Sequence, residues 1–170
     1  MTTMTFEPHE QALLQEIFRR HSRSLLQYVH ESYPWTNPER QALLDQLLGL
    51  IEEERQGTAA LAQFLTRNHL SRPFPGPYPM DFTNVNYVAL DYLLPLLRQE
   101  QQRAIAWLQE QMVHLKHPEA RALVQENLRT KERHLKILEG ILSASGGCQP
   151  PVLDNQGVKT PRSPAIETGR

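Results

Sequence analysis

The chain has a single cysteine, Cys148, in 170 residues. That excludes an intrachain disulfide and a zinc site built on clustered cysteines. Long apolar runs are missing as well, since nothing approaches the roughly 20 consecutive apolar residues of a membrane helix. The opening MTTMTFEPHE carries neither a basic nor an apolar leader segment. A cytoplasmic protein with no membrane partner is therefore expected. Charge of one sign is also lacking: Lys plus Arg number 18 against 19 Asp plus Glu, for a net charge of −1. Such a balance leaves no electrostatic footprint for nucleic acid or an anionic lipid surface. Strand signals are absent, because β-branched residues are sparse and no segment alternates apolar and polar residues between tight turns. No Gly-x-Ser-x-Gly elbow and no glycine-rich phosphate loop occurs, so a hydrolase nucleophile has no support. Nor is there an internal repeat.

What is present is enough apolar side chain, 39% of residues, to bury one core in one domain-sized chain. Thirteen prolines divide it, because proline inside a helix removes a hydrogen bond and clashes with the preceding turn. Residues 9–33, 39–67 and 119–149 contain none, whereas Pro73, Pro75, Pro77 and Pro79 alternate through SRPFPGPYPM. Asn37-Pro38-Glu39 supplies a capping side chain, a first-turn proline and an acid in the order a helix start prefers. His117-Pro118-Glu119 repeats that order less well. The pattern predicts four helices, about Pro8 to Ser32, Pro38 to Arg67, Thr83 to Leu115 and Pro118 to Leu142. This is an all-α bundle of two antiparallel hairpins joined by a long crossover from about Asn68 to Phe82. Residues 1–142 make the bundle domain. Residues 143–170, polar and broken by glycine and proline, are expected to be a disordered tail holding Cys148.

Each predicted helix carries an apolar stripe of three-four spacing with one polar intruder near its middle. The first reads Leu14, Phe18, His21, Leu25, Tyr28, and the second Leu44, Leu47, Ile51, Glu54, Thr58, Leu61, Leu65. The third reads Leu90, Leu93, Leu97, Glu100, Ala104, Trp107, and the fourth Val124, Leu128, Lys131, Leu135, Leu138, Leu142. His134 borders the last stripe one turn past Lys131. In antiparallel hairpins of similar length the midpoints share a level, so His21, Glu54, Glu100, Lys131 and His134 are expected to meet in one polar layer. Charged groups are rarely buried unless paired, which makes such convergence the least costly arrangement. Pro95 is expected to kink the third helix, Phe74 and Tyr78 to pin the crossover, and Tyr33 and Trp35 to cap one end.

With IEEERQGTAALAQFL in the second helix and TKERHLKILEGIL in the fourth, the chain resembles the ferritin-like superfamily. Rubrerythrin and bacterioferritin are members. The resemblance spans roughly Pro8 to Leu142 and rests on topology and mid-helix glutamates and histidines. It implies a di-iron pattern of one Glu from each of two helices and Glu-x-x-His from each of two others. Glu54, Glu100 and His134 match that pattern. Gly57 stands where a histidine belongs, Lys131 where a glutamate belongs, and the first helix offers His21 or Ser24.

Three readings of the layer follow from the resemblance: a metal-free ion-paired core, one Fe, Mn or Zn held by His21, Glu54, Glu100 and His134, or an intact di-metal oxidase. Charge counting favours the first, because a divalent ion on two carboxylates would leave the Lys131 ammonium uncompensated. The expected function is a non-catalytic scaffold or interaction protein with a degenerate di-metal centre and no cofactor. The alternative is a metal-binding oxidoreductase. The resemblance also implies pairing into a homodimer.

Overall fold

Proline opens helices at the places anticipated. In the computed structural model, which describes residues 6–144, α1 (Pro8–Ser22) and α5 (Pro118–Ala144) both begin on proline, whose missing N–H costs nothing in a first turn. Pro38 instead starts a short 3-10 turn, Pro38–Arg40, held by Asn37, whose side chain accepts from the Arg40 N–H at 3.0 Å. From it α3 (Gln41–Arg67) continues. With α2 (Leu25–Ser32) and α4 (Leu90–Met112), these are the five helices among the described residues, and no strand accompanies them. The all-α expectation holds. The expected tail at 143–170 lies outside the described residues apart from Ser143 and Ala144, which complete the last turn of α5.

The first predicted helix is two. Arg23 leaves the helical region, and Ser24 takes an extended conformation with its hydroxyl accepting from the Gln27 N–H at 3.2 Å, so it caps a new helix. Serine offers the backbone a local bond that competes with helix continuation. The stripe nonetheless survives the break, with Leu14, Phe18, His21, Leu25 and Tyr28 all buried. The third predicted helix begins later than Thr83. Met80–Val85 form a 3-10 turn, Tyr87 sits in the left-handed region at φ 56°, and Ala89 is extended before α4 starts. There the backbone of Trp35 bridges to Val88 and Leu90, tying the first connection to the end of the crossover.

Pro95 lies inside α4 and lacks an N–H to give to the carbonyl of Asp91. Beyond that turn the buried face moves by one residue. It runs Leu93, Leu97, Gln101, Ile105, Leu108, Met112 in place of the expected continuation through Glu100, Ala104 and Trp107.

α5 packs along α4 and α3, and α3 receives α1 and α2. The core is thereby divided lengthwise. One apolar cluster joins Leu14 and Phe18 of α1 to Leu61 and Leu65 of α3, Leu108 of α4 and Val124 of α5. The other joins Leu26 and Val29 of α2 to Leu47 and Ile51 of α3, Leu93 of α4 and Leu138 of α5. The break between α1 and α2 falls at the boundary between the clusters. The buried polar groups of mid-helix lie there too.

Candidate functional site

Glu54 and Lys131 are the centre of the boundary layer. Both are almost completely buried, and their side chains form a direct ion pair between α3 and α5. The remaining capacity of Glu54 is also used: its other oxygen accepts from the Ser24 hydroxyl at 2.9 Å and from the Gln27 amide at 3.2 Å. Ser24 thus both caps α2 and donates to Glu54, which explains why the chain breaks at this level. Gln27 also donates to the Ile51 carbonyl at 3.2 Å and accepts from Arg55 at 3.2 Å. Burial pushes the Glu54 carboxyl toward its neutral form, but the Lys131 ammonium, with the hydrogen bonds around it, outweighs burial and holds its pKa below the ordinary range.

His21 belongs to the layer and is also buried, with Nδ1 3.2 Å from the carbonyl of Ile17. A carbonyl only accepts, so Nδ1 carries the proton and Nε2 presents a lone pair. Burial, with the nearby Lys131 charge adding to it, lowers its pKa to about 3, and the ring is neutral. No protein group meets Nε2.

His134 is buried as expected but turns to a different carboxylate. Its Nε2 lies 2.8 Å from Glu53, which also takes Arg133 at 2.6 Å. Burial again lowers its pKa despite that acid, while the bonds from His134 and Arg133 lower that of Glu53. Glu100 does not enter the layer. Its side chain remains 39% exposed and pairs with Arg103 at 2.6 Å on the flank of α4. The 3.6-residue helix period is the reason: continued from Leu93 and Leu97 it reaches Gln101, which takes the core-facing place, and no protein partner reaches its amide nitrogen.

Of the four side chains suggested as metal ligands, His21 and Glu54 therefore share the layer, His134 faces Glu53, and Glu100 faces Arg103. Among the described residues no group of three or more His, Cys, Asp or Glu side chains is placed to hold one metal ion. A di-iron centre does not fit this donor set, because both oxygens of Glu54 are engaged and a cation of the protein's own stands beside them. Gly57 faces the Asn127 side chain of α5 so closely that a Cβ would come 2.1 Å from its oxygen. A side chain at this position would require the Asn127 amide to move.

Several buried polar residues escaped the sequence reading. Glu10 accepts from the backbone N–H groups of Lys116 and His117 at 2.8 and 2.7 Å, fastening α1 to the turn before α5. Gln27, Gln101 and Asn127 are buried amides on faces that composition alone marks as polar. Gln101 was within reach of the stripe argument, since a 3.6-residue period continued from Leu90 through Leu97 arrives at it. The aromatic expectations divide. Tyr78 does pack, against Tyr28, Phe82 and Arg23, but Phe74 is 83% exposed. Tyr33 and Trp35 do not close an end: both are exposed, with Tyr33 stacked on the equally exposed Tyr87.

Comparison of the chain with protein-family models, with curated proteins and with solved structures gives no match.

Proposed function

We propose that this chain is a non-catalytic binding or scaffold protein, a ferritin-like bundle whose metal centre has been replaced by a buried ion pair. One observation carries the reading: Lys131 places an ammonium against Glu54 at the level where a metal ion would lie. A fixed cation bonded to the carboxylate does the electrostatic work of the ion and removes the anionic ligand from use. The Ser24 and Gln27 bonds complete the first coordination of that carboxylate with protein groups. Holding one metal through His21, Glu54, Glu100 and His134 would require Lys131 to leave, Glu100 to swing inward from Arg103, and His134 to release Glu53. That is three rearrangements of satisfied groups. The exposed Tyr33–Tyr87 stack, both residues at positive φ, adds support for a role in contacts with other molecules.

Metal content decides the matter. Protein purified without added chelator and measured by inductively coupled plasma mass spectrometry is expected to hold only traces of iron, manganese and zinc. Near-stoichiometric content of any of them overturns the reading.

A further inference from the structure

Between the end of α1, the crossover and α4 lies a cleft of about 490 Å³, a size that suits small organic ligands. Pro75, Pro77 and Phe82 of the crossover form one wall, and Ala104 and Trp107 of α4 form the other. All five keep solvent-accessible surface, and the floor behind them is leucine from α2, α4 and α5. Glu100, Ala104 and Trp107, which the expected stripe placed in the core, thus line this cleft. The alternating prolines make its crossover wall stiff, since each fixes its own backbone angle.

The edge of the cleft is rich in arginine. Arg19, Arg20, Arg23 and Arg103 line it, and the side chains of Arg19, Arg20 and Arg103 are 46%, 55% and 65% exposed, open to a ligand from solution. Arg19 and Arg20 share one carboxylate, Glu16, and Arg103 pairs with Glu100. Among the described residues no carboxylate forms an ion pair with Arg23, which meets the carbonyls of Ser22 and Gly76 and the ring of Tyr78. Lys131 also lines the cleft and is matched by Glu54, so five cations stand against three carboxylates and two positive charges are left over. Arg20 meets Glu16 through Nε, which leaves its two terminal nitrogens as donors. Its guanidinium lies 4.1 Å from the centre of the Trp107 ring, at the boundary between the charged edge and the apolar wall.

A phosphate monoester carries close to two negative charges at neutral pH together with strong acceptor oxygens, and the guanidinium fork is the side chain that matches it best. We propose that this cleft binds the phosphate monoester of an apolar alcohol, with the phosphate among Arg19, Arg20 and Arg23 and the hydrocarbon between the prolines and Trp107. A carboxylate brings one charge to an edge that offers two, a cationic amphiphile meets repulsion, and inorganic phosphate forgoes the apolar walls. Because those walls face each other across a cleft, the occupant is a single free amphiphile and not a bilayer surface. The assignment deepens the binding reading above and rests on it in one respect, the neutralisation of Lys131 by Glu54 in the charge count.

The test is isothermal titration calorimetry on the full chain at neutral pH with decyl phosphate, decanoate, 1-decanol, decyltrimethylammonium and inorganic phosphate, the amphiphiles below their micellar concentrations. Decyl phosphate should bind about fivefold tighter than decanoate, the return of one further exposed ion pair. Decyltrimethylammonium and inorganic phosphate should not bind. Added salt should weaken decyl phosphate and leave 1-decanol nearly unchanged. Arg19→Gln together with Arg20→Gln removes the surplus charge and should bring decyl phosphate down to the affinity of 1-decanol. Ala104→Phe fills the cleft and should abolish binding of both. Circular dichroism establishes that each variant is folded, and the exposed arginine pair tests the proposal even where Ala104→Phe does not fold.

Decyl phosphate binding no tighter than decanoate, indifference to the arginine pair, or capture by phosphatidylcholine vesicles containing phosphatidate without binding of the monomeric ester overturns the proposal. Metal content measured on the same sample separates the two readings: metal present with ester binding intact overturns the ion-paired centre alone, and metal absent without ester binding overturns the cleft proposal alone.

Discussion

The two sides of the mid-helix layer differ in that one holds a buried ion pair and the other does not. Toward α3 and α5 the buried charges are spoken for, with Glu54 meeting Lys131, Ser24 and Gln27, while the Asn127 amide nitrogen and His134 Nδ1 have no hydrogen-bond partner. Toward α1, α4 and the crossover, the buried His21 Nε2 and Gln101 amide nitrogen have no hydrogen-bond partner, and no ion pair accompanies them. A low-dielectric interior strengthens a satisfied network and penalises an unsatisfied one. The closed side, with its ion pair, therefore dominates stability, and the open side carries the cost of its unpartnered groups. The difference teaches that the mid-helix level is not uniform: one half holds an ion pair with its hydrogen bonds, while the other holds neutral polar groups beside the apolar core.

The comparison is broken most severely by removing the cation from the closed side. Lys131→Met leaves Glu54 buried without its counter-charge and is expected to cost about 3–5 kcal/mol in urea melts. The double variant Lys131→Met with Glu54→Leu should recover most of that loss, because an apolar pair of similar volume escapes the desolvation penalty. A single-variant change below about 0.5 kcal/mol would place Lys131 in solvent contact and dissolve the closed network.

Acid tests both sides in sequence. His21 has its pKa lowered to about 3 in the folded chain against an ordinary value of 6.5, so the unfolded state binds the proton first as pH falls. The stability that comes from keeping it neutral is fully present above about pH 6.5 and falls by up to about 1.4 kcal/mol per pH unit below it. By pH 4.5 that amounts to nearly 3 kcal/mol, approximately, from His21 alone. His134, lowered in the same direction, adds to the same window. Glu54 and Glu53, whose pKa values are also lowered, contribute stability that is lost only as pH falls below the ordinary carboxylate range. Urea melts of a His21→Leu variant between pH 6.5 and 4.5 should show a visibly shallower slope. An unchanged slope would mean that the ring is not held neutral in the core.

The smallest effect sharpens the comparison from the open side. Gln101→Leu removes a buried amide with no partner for its nitrogen and should raise stability by about 1 kcal/mol in the absence of ligand. The same kind of change on the closed side, Gln27→Leu, should lower it, because Gln27 bonds Glu54, Ile51 and Arg55. Equal and opposite signs from two buried glutamines in one layer would be direct support for the division. A loss of stability from Gln101→Leu would mean that its amide is satisfied after all.

Much of this molecule is legible in its residues taken alone. Proline spacing locates the connections, three-four periodicity identifies the buried faces of α1, α2, α3 and α5, and the intruding polar residues in those stripes, His21, Glu54 and Lys131, do meet near the centre. These are local or additive properties: a proline breaks a helix wherever it lies, and an apolar face must be covered whatever covers it. Three things were settled by tertiary structure. The side of α4 that turns inward past Leu97 depends on its packing against α5 and its other neighbours, which puts Gln101 and not Glu100 in the core. The break at Ser24 depends on Glu54, thirty residues away in sequence, accepting the hydroxyl that also caps α2. The choice of Glu53 over Glu54 by His134 depends on which neighbour reached Glu54 first in space, and Lys131 had it. Sequence determines which groups must be buried or paired, because that follows from the chemistry of each side chain; it leaves open which partner each one finds, because partnership is decided by distances of an ångström or two between helices far apart in the chain.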